Sequence, residues 1–200
     1  MQNHALHIKS LSSVDATHLV EQLKARGITI SSEKSSSIWL VIVDSIGDPR
    51  ISTFNHRTRE LGKPMVVFKP TGQETEYALF TNDSACWTCF EKKHRLLDGA
   101  ATYLYSRLNF VEPIVQPEIT TTRSLELAFD LITSDLSKIL NAGFEGASGK
   151  LNCTELNSNQ TTQHIISKIP DCPVCGIQEN KPKNVLKKLP TYELDTIMVA

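Results

Sequence analysis

The pattern of apolar and polar positions predicts a sheet whose buried strands alternate with helices. Residues 38–43 form the clearest strand: they are apolar without alternation, as expected for a strand covered on both faces in a parallel sheet. Pro49 suits the first turn of a helix that reaches about Leu61, and residues 65–68 form the next buried strand. Together these segments predict a βαβ crossover with parallel strands.

The segments on either side of this unit complete an α/β pattern. Further strands are predicted at residues 6–11, 28–30, 77–80, 151–156 and 164–169, the last two pairing antiparallel. Helices are predicted between Asp15 and Gly27 and over residues 89–108 and 120–140, with a loop or linker at 111–118. The expectation is one domain over residues 1–176, followed by a C-terminal tail or linker over residues 177–200.

The composition is ordinary for a globular chain and excludes several classes of function. Of 200 residues, 40% are hydrophobic and 22% charged, which permits a sizeable core. The formal net charge of −1 argues against a broad nucleic-acid surface. The longest apolar run is too short to cross a bilayer, and the N-terminus lacks the pattern of a signal peptide. We therefore expect a cytoplasmic protein that binds neither nucleic acid nor membrane.

Four of the five cysteines fall in two CxxC turns, Cys86-Trp-Thr-Cys89 and Cys172-Pro-Val-Cys175. Two such turns can bring four thiolates around one tetrahedral zinc ion. The two turns are farther apart in sequence than those of a self-contained zinc ribbon. This separation suits a metal site that holds a C-terminal turn against the rest of the domain. Four protein ligands leave no position for water, so the zinc is expected to be structural. The alternative is two unrelated turns with free or redox-active thiols.

No other motif predicts a catalytic or cofactor-binding residue. The loop at residues 143–150 suggests a phosphate loop, but Phe144 and Leu151 stand where Gly and Ser or Thr are needed, and no GxGxxG occurs. Asp44 and Asp48 follow the best strand, where α/β sites tend to lie, yet a turn-forming role is expected. Cys153 is expected to be a half-buried thiol in a strand.

Several segments, in order, resemble the E1/ThiF-like partner protein of thiazole/oxazole-modified microcin biosynthesis. They are residues 38–50, Asn55, Gly62-Lys-Pro64, Phe68-Lys-Pro70, the turn beginning at Cys86, Gly149-Lys-Leu151, His164 and the run Pro170-Asp-Cys-Pro-Val-Cys175-Gly176. The resemblance covers roughly residues 5–176, and the two cysteine turns are its specific part. It implies a shortened E1/ThiF-like, Rossmann-like α/β domain with a structural tetrathiolate zinc site.

The resemblance also implies a function. In this family the domain docks onto and activates a YcaO-type protein, which uses ATP to cyclise Cys, Ser or Thr side chains of a precursor peptide into azolines. The chain is therefore expected to be a non-catalytic accessory subunit of a peptide cyclodehydratase. Its expected partner is the YcaO-type protein, and the precursor peptide and a second copy of the chain are further candidate partners. Residues 91–95 and the tail are the first candidates for the docking surface.

Two other functions stay open at this point. One is a true E1-like adenylating enzyme, which needs a glycine-rich nucleotide loop. The other is a zinc-stabilised binding module with a different partner. Family members usually carry a winged-helix module that binds the leader peptide before this domain, and many continue into a YcaO domain after it. Because the 200 residues contain neither, we expect the ATP-using part to be another polypeptide.

Overall fold

A computed structural model describes residues 5–97 and 120–176 of the chain, and this part contains a seven-stranded sheet with helices on both faces. The strands are β1 (Ala5–Ser10), β2 (Thr29–Ile30), β3 (Ile38–Ile42), β4 (Met65–Lys69), β5 (Glu74–Phe80), β6 (Lys150–Glu155) and β7 (Gln160–Ile165). The helices are α1 (Thr17–Ala25), α2 (Ile51–Glu60), α3 (Trp87–Leu97) and α4 (Thr122–Ala142).

The sheet has a parallel half and an antiparallel half. Its strand order is β2-β1-β3-β4-β5-β6-β7, with parallel pairing from β2 to β4 and antiparallel pairing from β4 to β7. The parallel pairing of β3 with β4 around α2 confirms the predicted crossover unit. The mixed α/β architecture agrees with the predicted fold class.

Two hydrophobic layers lie on opposite faces of the sheet, which explains why β3 lacks alternation. Its residues Leu40 and Ile42 pack with α1 and α4, whereas Trp39 and Val41 pack with α2 and α3. Every residue of β3 is buried, so both faces require apolar side chains. The strand therefore lies at the centre of the fold and anchors both layers.

The long helix α4 confirms the amphipathic prediction. Thr121 accepts a hydrogen bond from the backbone N–H of Ser124 at 3.0 Å and so caps the first turn. The helix ends before Gly143, whose φ of 92° is a left-handed conformation that favours glycine. Its buried side includes Phe129, Ile132, Leu136 and Ile139.

The largest error of the sequence prediction concerns the last strand, which was expected at residues 164–169. It is β7, Gln160–Ile165, because a short turn ending at Asn159, with a φ of 55°, places Gln160 opposite Glu155. All residues of β7 are exposed, so its polar sequence carries no burial signal. The predicted helical residues 98–108, the linker and the tail lie outside the described residues. None of the described helices has the length and apolar character needed to span a membrane.

Candidate metal centre

The structure brings the four cysteines of the two CxxC turns into one cluster. Cys86 and Cys89 lie at the start of α3, and Cys172 and Cys175 lie in a turn after β7. The Sγ atom of Cys86 is 3.9 Å from that of Cys89 and 3.6 Å from that of Cys172. The Sγ atoms of Cys89 and Cys175 are 3.3 Å apart, and all four lie within 4.8 Å of one another.

These separations suit one tetrahedral metal ion. Zn–S bonds of about 2.3 Å place the sulfur atoms of a tetrahedral site about 3.8 Å apart, close to the distances between the cysteines. All-thiolate ligation in this geometry is typical of zinc or iron, and a closed set of four leaves no open position for a reacting molecule. The cluster could therefore hold a metal ion, and its identity as zinc stays a prediction.

The surroundings of the thiols indicate that a bound cation would be needed to keep all four of them ionised. Cys86 and Cys89 are fully buried, and burial raises the pKa of the Cys89 and Cys175 thiols. Burial also opposes ionisation of Cys172, but the backbone N–H groups of Cys175 and Val174 donate to its sulfur and lower its pKa to about 7. Several packed thiolates repel one another unless a metal ion supplies positive charge.

Backbone hydrogen bonds shape the second turn and join it to the first. Gly176 N–H donates to the carbonyl of Cys172 at 2.8 Å, and Cys172 N–H donates to that of Ile169 at 3.0 Å. Ile169 N–H in turn donates to Cys89 Sγ at 3.4 Å, which links the two turns directly. A Cβ atom at Gly176 would lie 2.5 Å from the Cys172 carbonyl oxygen and 2.6 Å from that of Pro170. Only glycine therefore fits this position without a shift of the backbone.

Helix α2 holds the first turn in place. The side-chain oxygen of the buried Asn55 accepts from Trp87 N–H at 3.2 Å, and its amide nitrogen donates to Thr88 Oγ1 at 3.1 Å. It thereby satisfies a backbone donor that a helix start leaves unpaired. One turn further along α2, Arg59 donates to the carbonyls of Thr81 and Ser84 at 2.7 and 2.9 Å. These roles could not be inferred from the sequence, where Asn55 appeared only as part of the family resemblance.

Asp44 makes more contacts than its predicted turn-forming role implied. The parallel order β2-β1-β3-β4 has its topological switch point between β1 and β3, where α/β proteins bind ligands at the strands' carboxyl ends. There the Asp44 carboxylate accepts a short hydrogen bond from the Ser12 hydroxyl and one from Ser13 N–H at 3.3 Å. Asp44 therefore ties the loop after β3 to the loop after β1.

The remaining candidates from the sequence do not form a second cluster in the described part of the chain. Cys153 is half-buried in β6, as expected, and burial together with the charge of Glu76 raises its pKa to about 11. A thiol with a raised pKa is a poor nucleophile, which agrees with the expectation that Cys153 is a half-buried thiol in a strand. His164 lies exposed on β7 and does not belong to the cysteine cluster.

The sequence matches no protein-family model and no curated protein. The fold, however, is similar to a heterocyclase in complex with substrate and cofactor, with a TM-score of 0.72, 18% identity, and coverage of 87% of this chain and 26% of that one. It is also similar to the heterocyclase TruD, with a TM-score of 0.69, 20% identity, and coverage of 87% and 28%.

A third similar structure is the E. coli microcin synthetase McbBCD complex, with a TM-score of 0.60, 13% identity, and coverage of 84% of this chain and 67% of that one. The chain thus spans only 26% and 28% of the two heterocyclase chains. Its α/β fold is that of heterocyclase and microcin synthetase components, which confirms the fold implied by the resemblance to E1/ThiF-like partner proteins.

Proposed function

We propose that the chain is a non-catalytic accessory and docking subunit of a peptide cyclodehydratase. It would work in the cytoplasm with a YcaO-type ATP-dependent protein that forms azolines from Cys, Ser or Thr of a ribosomal precursor peptide. The observation that carries the proposal is the likeness of 87% of the chain to heterocyclases. In this proposal residues 1–176 form the E1/ThiF-like domain, and residues 177–200 are a linker or tail.

The proposed zinc ion would have a structural role in this subunit. Held by Cys86, Cys89, Cys172 and Cys175, it would fasten the C-terminal turn to the start of α3. Since α2 also holds the start of α3 through Asn55, the metal would complete a rigid face made of these elements. A rigid face of this kind suits a docking subunit, because less ordering is then needed when the partner binds.

The charges at the switch point disfavour the rival hypothesis of an adenylating enzyme. Such an enzyme would bind a triphosphate near the carboxyl ends of the parallel strands, commonly through backbone N–H groups. Here the N–H of Ser13 already donates to Asp44, and the N–H of Thr17, at the start of α1, donates to Asp15 at 2.9 Å. Both carboxylates add negative charge where phosphates would have to bind.

We expect the isolated chain to show no saturable ATP binding, with or without Mg²⁺, because carboxylates occupy these backbone donors. Isothermal titration calorimetry of the metal-loaded protein measures this directly. The variant Asp44→Asn should be titrated in parallel, since it keeps the side-chain shape and removes one negative charge. Micromolar affinity of the natural chain for ATP would revive the adenylating rival and remove the non-catalytic assignment.

The face of α3 that follows Cys89 is the first candidate for docking. Lys92 and His94 are exposed and Lys93 is partly exposed, and these residues lie directly after the cysteine cluster. Basic side chains on such a surface would steer an acidic partner and influence the association rate more than the affinity. The side chain of Arg95 and the tail were also predicted to contribute. Both lie outside the part of the chain that the structure describes.

We expect the chain to co-purify with a YcaO-type partner protein, and Lys92→Glu with Lys93→Glu to slow association about tenfold at low salt. Association rates measured at several salt concentrations test this. Lys24→Glu with Arg26→Glu is the matched control, because both residues are exposed at the end of α1, on the opposite face of the sheet. A chain ending at Gly176 tests the tail separately.

The outcomes of this experiment separate the hypotheses. Equal binding by the full chain and the shortened chain would discard the tail as a docking segment. Unchanged rates for the two lysine substitutions would discard the α3 face. If no complex formed at any ionic strength, the accessory-subunit proposal itself would be abandoned, and a zinc-stabilised module with another partner would take its place.

A further inference from the structure

Strand β7 is an unusually open edge of the sheet. It is the last strand in the order, it pairs only with β6 among the described strands, and all of its residues are exposed. Ile165 at its end is 80% exposed, the most exposed of the large hydrophobic side chains in the described part of the chain. Among the described residues, the outer side of β7 therefore has backbone groups that pair with no other strand, next to an exposed apolar side chain.

The hydrogen-bond pattern identifies the backbone groups that face outward. Ile166 N–H donates to the Gly149 carbonyl at 2.8 Å, and from there the register with β6 is regular. In an antiparallel pair, hydrogen-bonded and non-hydrogen-bonded positions alternate along the strand. His164 and Thr162 thus bond to β6, whereas Thr161, Gln163 and Ile165 direct their N–H and C=O groups away from it, towards the free edge.

Proteins usually protect such an edge, and the sequence and register of β7 itself show none of the common devices. Lysine, proline, a bulge or inward-pointing charges on an edge strand discourage pairing with another chain. Strand β7 has the sequence Gln-Thr-Thr-Gln-His-Ile, which contains no acidic residue, lysine, arginine or proline. Its register with β6 is continuous, so no bulge twists the edge away from a partner. The strand is therefore suited to pairing.

We propose that β7 pairs antiparallel with β7 of a second copy of this chain, about a two-fold axis that passes through Gln163. In this register Gln163 lies opposite its own copy, and Thr161 lies opposite Ile165 of the second copy. All three outward-facing residues then exchange backbone hydrogen bonds across the axis. The two sheets become one continuous sheet, and Ile165 gains a β-branched neighbour. This inference is independent of the proposed function and goes beyond it.

A second copy fits this edge better than an unrelated extended peptide. Peptides that add to a sheet edge obtain specificity from side-chain pockets along the strand, and the side chains of β7 are exposed and form no such pocket. Self-pairing needs no pocket, because the two-fold register brings uncharged and β-branched side chains opposite one another. A single strand pair buries less than the roughly 1,200 Å² of a standard interface, so we expect a weak, concentration-dependent dimer.

Substitution of Gln163 offers a direct test, because a residue on the axis meets itself. Gln163→Lys and Gln163→Glu each place two like charges opposite one another, whereas a mixture of the two variants pairs opposite charges. Gln163 also donates to the buried Asn152 side chain at 2.9 Å. A lysine at this position can still donate to the Asn152 side chain, and a glutamate can accept a hydrogen bond from it. Thermal unfolding should be measured to confirm that both variants fold. Gln73→Lys, at an exposed position away from β7, is the matched control.

Sedimentation equilibrium of the metal-loaded full chain over a wide concentration range gives the dimer constant. We expect each Gln163 variant alone to dimerise at least about tenfold more weakly than the natural chain or Gln73→Lys, a difference of about 1.4 kcal/mol. The equal mixture should recover dimer at low salt. A natural chain that stays monomeric at all concentrations, or Gln163 variants that dimerise as well as it does, would overturn the proposal.

Discussion

Replacing Cys172 with serine is expected to release the metal and free the C-terminal turn from the start of α3. The substitution removes one of four clustered ligands, and zinc bound by thiolates contributes on the order of 10 kcal/mol to folding. Much of that free energy would be lost, because a serine hydroxyl is a poor replacement for a thiolate at zinc. Elemental analysis should give one zinc per natural chain and less than one in the variant, whose melting temperature should fall.

The matched control is Cys153→Ser. Cys153 is a half-buried thiol in β6 and does not belong to the cluster, so this variant should retain one zinc per chain. A thiol titration with and without chelator completes the test. In the natural chain, Cys153 alone should react before the chelator is added, and slowly, because burial raises its pKa. Native, folded, metal-free protein in which five thiols titrate freely would remove the zinc site.

Gly176→Ala is expected to weaken metal binding without touching a ligand. The added Cβ would lie within 2.5–2.7 Å of the backbone of Cys172 and the carbonyl of Pro170, which cannot move as a flexible side-chain end can. The turn that presents Cys172 and Cys175 would have to open, and we expect zinc affinity to fall about 10–100-fold, as for other residues that orient ligands. Competition with a chromophoric chelator measures the change.

Gly146→Ala provides the control for this substitution. A Cβ atom at Gly146 meets nothing within 4 Å, so the general effect of adding a methyl group to a loop glycine can be subtracted. Equal zinc affinity of the two alanine variants would show that close approach at Gly176 does not shape the site. A loss confined to Gly176→Ala would support the steric account.

Local sequence patterns were sufficient to predict those elements whose burial or chemistry restricts the residue types along the chain. The uninterrupted apolar run of β3 predicted a central strand, because a strand covered on both faces has no polar positions. The paired CxxC spacing similarly predicted that four cysteines separated in sequence would meet, since each turn brings two thiols together. The family resemblance added the E1-like fold, which the structural neighbours confirm.

Tertiary structure decided the features that depend on partners distant in sequence. Strand β7 was misplaced because an edge strand exposed on both faces has no apolar period, and only its pairing with β6 defines it. Asn55 is a buried amide on a helix, and its capping of α3 exists only because α2 packs beside the first cysteine turn. Asp44 likewise gains its donors from the loop after β1, which the parallel pairing of β1 with β3 brings near. In each case the hydrogen-bond partner is set by chain topology, which residue spacing does not encode.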